Sequence, residues 1–275
     1  MDTRQFADGR ISLVNGDWFL LYNQIVEKQS IDFAIVDPPW GVLGECQKWD
    51  TGINLPNLET TLDYCLKPTG QLAFFCDLKL SARVLAEFTE FEMRCYHIWQ
   101  KYLAMPKNKW LPINNTEIIL ILKRKGTKLN ELPWNPKSAN AGIPYSKTGY
   151  QIEVKTRRMK KSGKSINEDG RRWLTTTIHA PSKPNMLKSE RTDHATQKSE
   201  QLIRTILKSY CNDNSLILDP TFGSGSSIVS AWREGHSAIG CELEKEFFTS
   251  ASNRLDMLTK QQNLFNNQKQ EANYA

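Results

Sequence analysis

Asp37, Pro38, Pro39 and Trp40 set a carboxylate, a rigid turn and an indole side by side, directly after the apolar run Ile31-Asp32-Phe33-Ala34-Ile35-Val36. The run is short and rich in β-branched residues. It reads as a buried parallel strand that the two prolines stop at the edge of a sheet. In open α/β sheets, ligands bind at the carboxyl ends of the strands. Each proline lacks an N–H and has its φ fixed, so the carbonyls of Asp37 and Pro38 are predicted to face a ligand. Such a corner can accept hydrogen bonds from an exocyclic amino group while Trp40 stacks on a flat base. The alternative is that the prolines only end a strand and Trp40 fills the core.

A second candidate site lies in a βαβ unit over residues 216–242, whose turn reads Asp219-Pro220-Thr221-Phe222-Gly223-Ser224-Gly225-Ser226. Glycines at a strand-to-helix turn let a ligand approach the backbone, and Glu242 ends the next strand where an acid can accept both ribose hydroxyls. A dinucleotide fingerprint would need a third glycine where Ile228 stands, and a P-loop would need lysine after its second glycine; neither is present. Asp219 is a poor neighbour for pyrophosphate and a good one for an ammonium or sulfonium. The turn therefore favours a cationic nucleoside, S-adenosylmethionine above all, over NAD or ATP.

The elements that must hold these sites follow from periodicity. Strands are predicted at 11–14, 31–37, 71–76, 93–100, 117–122, 215–219 and 237–242, and helices at 18–27, 55–66, 78–88, 196–210, 226–234 and 245–260. Such alternation predicts an α/β fold, a mainly parallel sheet with helices on both faces. Residues 41–54, with Gly41, Gly44 and Gly52, are predicted to form a loop able to close over a substrate. The Gln- and Asn-rich tail, 261–275, is expected to fray.

From residue 126 to 192 the periodicity disappears, and the stretch reads as a small inserted subdomain. The basic charge is confined there: residues 123–191 hold 17 Lys and Arg against 5 Asp and Glu, a balance of +12 in a chain of net charge +6. Trp134, Tyr145, Tyr150 and Trp173 lie among the charges, as a nucleic-acid groove would want. Arg157, Arg158, Lys160, Lys161, Arg171 and Arg172 are the candidate DNA contacts. A solvated basic insertion without a partner is the alternative.

The 275 residues, 39% hydrophobic and 24% charged, suffice for a proper core. No apolar run reaches the length of a membrane span and the start lacks a signal pattern, so a cytoplasmic protein is expected. Cys46, Cys65, Cys76, Cys95, Cys211 and Cys241 are scattered, without disulfide or zinc spacing, and no metal is expected.

Asp37 to Trp40 resembles the catalytic motif of amino-group DNA methyltransferases, and Asp219 to Ser226 their cofactor motif. The order, catalytic motif first and cofactor motif last, is similar to the circularly permuted beta group. His194-Ala195-Thr196-Gln197-Lys198 resembles another cofactor-contacting motif, with Ala195 and Ser199 in place of two prolines. Asn15-Gly16-Asp17 resembles the segment near the cofactor's adenosine, and Glu117 matches the start of a family strand with Thr116 replacing histidine.

The resemblance implies a Rossmann-like sheet in two halves, catalytic over 1–125 and cofactor-binding over 193–260, with a target-recognition insertion over 126–192. It implies methyl transfer from S-adenosylmethionine to N6 of a flipped-out adenine in double-stranded DNA. Asp37, Pro38, Pro39 and Trp40 would be catalytic. Asp17, Asp37, His194, Thr196, Lys198, Asp219, Pro220, Phe222, Gly223, Ser224, Gly225, Ser226, Glu242 and Leu243 would bind cofactor. In that family Ser at 37 favours cytosine N4 and Asp favours adenine; a cytosine N4 enzyme and a non-catalytic nucleic-acid-binding subunit are the competing readings. The resemblance allows a homodimer and a cognate restriction endonuclease as partners. Blander readings stand beside several sites: Asp17 as a helix cap, His194 as a surface residue, Lys198 as solvated and Phe222 as core.

Overall fold

The structure, a computed structural model, describes residues 2–40, 52–102, 109–137, 145–153, 158–168 and 170–273. The chain begins β1 (Asp2–Phe6), β2 (Ile11–Asn15), α1 (Trp18–Ile25), β3 (Ile31–Val36), α2 (Leu55–Cys65), β4 (Leu66–Cys76), α3 (Leu78–Glu87), β5 (Phe91–Lys101) and β6 (Thr116–Arg124). It continues β7 (Tyr145–Glu153), β8 (Arg158–Asn167), β9 (Thr177–Ala180), α4 (Glu200–Tyr210), β10 (Leu216–Asp219), α5 (Ser226–Arg233), β11 (Ser237–Glu242) and α6 (Lys245–Asn273).

Period-two alternation divides the central strands between two cores. In β3, Phe33 and Ile35 pack on one face and Ala34 and Val36 on the other; in β4, Ala73 and Phe75 oppose Leu72 and Phe74. A strand apolar on both sides needs cover on both. Leu202 and Ile206 of α4, Ile228 of α5 and Phe248 of α6 cover the first face, and Trp18 of α1, Leu58 and Leu62 of α2 and Val84 of α3 the second. Each such side chain contributes about 1.5–3 kcal/mol on full burial. Helix starts are set by side-chain caps that accept otherwise unpaired amides: Asp17 from Phe19 (2.9 Å), Asn54 from Asn57 (3.0 Å), Asp77 from Leu80 (2.7 Å) and Ser199 from Leu202 (3.1 Å).

Nine strands form the main sheet in the order β1-β2-β11-β10-β3-β4-β6-β5-β9. β2, β11, β10, β3 and β4 run parallel, β6 is antiparallel between β4 and β5, and β1 closes the other edge antiparallel to β2. From β10 the chain steps outward through α5 to β11, while from β3 it steps the opposite way through α2 to β4. The neighbours β10 and β3 therefore form a topological switch point, and a crevice opens where their carboxyl ends part. Register there is pinned by Ile217 opposite Phe33, Leu218 opposite Ala34, and the Asp32 carboxylate accepting from the Leu216 amide at 2.8 Å.

Several elements differ from the sequence reading. β4 follows α2 without a loop and passes through Pro68 and Gly70, which composition marks only as a stop. α6 continues as helix to Asn273 through the stretch expected to fray; Gln, Lys and Glu are adequate helix formers despite their polarity. Of the 126–192 segment, β7 and β8 pair with each other as a separate two-stranded sheet, whereas β9 joins the main sheet beside β5 and Trp134 packs on its core. Residues 41–51 of the expected closing loop lie outside the described residues. Among the described residues, no helix is long and apolar enough to cross a membrane. Cys65, Cys76, Cys211 and Cys241 are buried and free, and Cys95 is half-buried and free.

Candidate active site

The proline corner after β3 and the glycine turn after β10 leave the sheet at the same edge and touch: the Thr221 hydroxyl donates to the Asp37 carbonyl at 3.3 Å. A cavity of about 640 Å³ opens between them. Asp37, Pro38, Pro39 and Trp40 line it from one side; Asp219, Pro220, Phe222, Gly223, Ser224 and Ser226 line it from the other. Asp17, His194, Thr196, Lys198, Glu242 and Leu243 complete the predicted set on its walls. Gly225 instead packs on Ala251: a Cβ there would come within 2.9 Å of the Ala251 Cβ, and its φ of +73° lies in the left-handed region.

The corner corrects one expectation. Thr221 takes one acceptor position of the Asp37 carbonyl, which keeps a second. Lys198 is not solvated: its ammonium is buried and lies 2.7 Å from Asp37 Oδ2 and 3.5 Å from Glu117 Oε2. Glu117 is held in turn by Lys101 at 2.6 Å. Burial opposes the charge of Lys198, but Asp37 and Glu117 more than offset it and hold the ammonium above its usual range. Burial raises Asp37 more than Lys198 lowers it, while for Glu117 the pull of Lys198 and Lys101 exceeds the cost of burial. Trp40 packs half-buried against the two cores and also lines the cavity.

In the glycine turn, Asp219 is almost fully buried; it accepts from the Ser227 hydroxyl and, at 3.0 Å, from the Thr221 amide. Burial dominates those bonds and pushes its carboxyl up to about 7. Glu242 is raised likewise by burial; its Oε2 accepts from the Gly223 amide and its Oε1 from the Glu244 amide, both at 2.8 Å. Each oxygen keeps acceptor capacity toward the cavity. Phe222 is buried against Gly240 yet still borders the cavity, and Asp17 both caps α1 and lines the wall.

His194 is half-buried with its ring 4.6 Å from that of Phe247, and its Nε2 sits 2.9 Å from where a Cβ on Gly223 would stand. Burial, then Lys198 and Lys183, lower its imidazole to about 4. Three supports were missed by sequence reasoning. Gln197 donates to Ser226 Oγ at 3.1 Å and to the Glu190 carbonyl at 2.7 Å, tying the His194 loop to the glycine turn. Arg254 reaches from α6 to the Ser224 carbonyl at 3.2 Å while paired with Glu200 at 2.6 Å. Lys101, lining the cavity beside Glu117, carried no motif at all.

Of the basic residues expected to meet DNA, Arg158, Lys160 and Lys161 lie in β8, and Arg171 and Arg172 are exposed just beyond it. Arg157 lies outside the described residues.

A family model described as DNA methylase, covering N6 and N4 enzymes, matches residues 31–253, from β3 through both motifs into α6. The chain belongs to this family. The DNA methylase is 24% identical over 238 residues to the Type II methyltransferase M.HpaI of Haemophilus parainfluenzae, a match covering 84% of this chain and 70% of the relative. Its fold is shared with the crystal structure of the M1.HpyAVI–SAM complex (TM-score 0.58, 23% identity, 89% of this chain and 99% of that one). It is also shared with the PvuII DNA methyltransferase, cytosine-N4-specific (TM-score 0.61, 12% identity, 89% of this chain and 86% of that one). The cofactor of this DNA methylase is S-adenosylmethionine. The cavity fits it: two buried carboxylates, Asp219 and Glu242, suit a cationic head and a sugar, and Phe19, Phe222 and Phe247 supply walls for a flat ring.

Proposed function

We propose that this methylase modifies the exocyclic N6 of adenine, taken out of double-stranded DNA into the Asp37 corner. The observation that carries the reading is the shared edge: Asp37 and the Asp219–Ser226 turn face one cavity and are joined through Thr221. Bound S-adenosylmethionine supplies an electrophilic methyl carbon. Glu242 accepts the ribose hydroxyls, Asp219 faces the methionine end, and Asp17, His194, Thr196, Phe222 and Leu243 enclose the nucleoside.

An exocyclic amine conjugated to a base is a weak nucleophile. Asp37 Oδ1 and the Pro38 carbonyl each accept one of its N–H groups, so the nitrogen pyramidalises and its lone pair points at the methyl carbon. The N–C bond forms as the S–C bond breaks, and the nitrogen then releases a proton to Asp37 or to water. Trp40 holds the base by stacking once it has left the duplex. A carboxylate at position 37 supports adenine over cytosine. The basic residues of β8 together with Arg171 and Arg172 hold phosphates and read base edges.

Nucleoside mass spectrometry after incubation with cofactor and mixed-sequence DNA tests the reading. N6-methyladenine is the expected product; N4-methylcytosine would overturn the base assignment, and no methylated nucleoside would overturn the activity.

A further inference from the structure

We propose that Lys198 is a positioning residue for methyl transfer: it holds the Asp37 carboxylate in place and in its charged form, and the Glu117–Lys101 pair sets how strongly it does so. The proposal rests on the reading of Asp37 given above. Its basis is a row of four alternating charges. Lys101 lies 2.6 Å from Glu117 Oε1, Glu117 Oε2 lies 3.5 Å from Lys198, and Lys198 lies 2.7 Å from Asp37 Oδ2.

The row is largely closed to water. The Lys198 and Glu117 side chains are only 8% and 13% exposed. The ammonium lies over the rings of Trp40 (5.2 Å) and Phe75 (5.6 Å). A lysine in such surroundings keeps its proton only through nearby carboxylates. Lys198 therefore spends its charge chiefly on Asp37 and Glu117. By fixing Oδ2 it leaves Oδ1 as the acceptor for the target amine.

Five groups from five elements bear on Asp37: Lys198 ahead of α4, Glu117 on β6, Lys101 on β5, Asp219 ending β10 and the Cys76 thiol ending β4. Burial and Glu117 favour a proton on Asp37, and Lys198 and Lys101 oppose it; the thiol stays neutral because burial pushes it up. The two arms of the row thus act on Asp37 with opposite sign. Lys198→Gln removes the opposing cation, so Asp37 protonates at higher pH. Glu117→Gln removes a repelling anion and frees Lys198 for Asp37, so Asp37 protonates at lower pH.

Single-turnover methyl transfer measured from about pH 5 to 9 tests this, with cofactor Kd measured alongside by calorimetry. Lys198→Gln is expected to lower the rate on the order of 10²-fold and to move the acid limb up by about one pH unit or more, with cofactor Kd unchanged. Lys198→Arg is expected to restore much of the rate, and Glu117→Gln to move the limb down. An unmoved limb in Lys198→Gln, weakened cofactor binding as its main defect, or shifts of the same sign in both glutamine variants would overturn the proposal. Should Lys198→Gln fail to fold, Glu117→Gln decides alone: a limb moved down supports the proposal, and one unmoved or raised overturns it. Asp37→Asn separates the two levels of argument. Retained transfer in that variant sinks the reading of Asp37 itself, whereas an inactive Asp37→Asn beside an undisturbed Lys198→Gln sinks only the role of Lys198.

Discussion

The Thr221 hydroxyl stands 3.3 Å from the Asp37 carbonyl oxygen and joins the glycine turn to the proline corner by one hydrogen bond. Thr221→Val keeps the shape and removes the donor. The loss should cost about 1 kcal/mol of stability and slow methyl transfer more than it weakens cofactor binding, because only the Asp37 side of the junction loses its anchor. Urea midpoints and single-turnover rates check this. Full activity in Thr221→Val would show that the junction is dispensable.

Asp37→Ala removes the proposed acceptor of the target amine. Transfer should fall by about 10²–10⁴-fold while cofactor affinity, read by calorimetry, stays close to that of the unaltered protein. Lost binding with retained turnover would place Asp37 in cofactor recognition instead.

Gly223 combines a φ of +49° with the His194 ring, whose Nε2 lies 2.9 Å from an added Cβ. Gly223→Ala should therefore cost about 1–2 kcal/mol from backbone strain, with a further loss of cofactor affinity from displacing His194. The second effect should be relieved in His194→Ala/Gly223→Ala, so the two substitutions couple in a double-mutant cycle. Strict additivity of the cofactor Kd changes would show that His194 does not read the glycine.

Asp219 titrates near 7 in the fold and near about 4 in an unfolded chain. A raised carboxyl contributes stability that is complete below the unfolded value and is lost as pH rises through the folded one. The cofactor-free protein should lose at most about 4 kcal/mol from this group between about pH 4 and 7. Asp219→Asn, which keeps a partner for Ser227 and Thr221, should remove that slope. Denaturant unfolding without cofactor at about pH 5 and 8 checks the difference; parallel pH dependence in both proteins would contradict it.

Arg171 and Arg172 are exposed beside β8. If both meet phosphates, replacing both by alanine should reduce the slope of log Kobs against log salt by roughly 2, and weaken binding to all DNA sequences alike. A slope that does not change would exclude them from phosphate contact.

The two motifs were legible in the sequence because each is local. Proline after a β-branched run and glycine after Asp219 declare where strands end, and the strand order then brings β3 and β10 together. The supports were not legible. Lys198 with Asp37, Lys101 with Glu117, and Arg254 with the Ser224 carbonyl join distant segments through single side chains, which leave no periodic trace. Glu117 reads in the sequence only as a strand start, although it stands beside Lys198 on the cavity wall. β7, β8 and β9 escape sequence reading for another reason: β7 and β8 are polar in composition and β9 is only four residues long, too little for a readable apolar period. His194 was drawn from its motif neighbours, and its packing on Phe247 came only with α6 in place.

The seat of β10 between β11 and β3 also shapes how the molecule can be made. A chain emerging from the ribosome can pair β3 with β4 early, yet the other flank of β3 waits until residues 216–219 are synthesised. Through that interval the nascent protein carries an open strand flank, the kind of surface that recruits chaperones or a neighbouring chain. Closing so distant a contact is slow, so catalytic competence arrives as one of the last events of maturation.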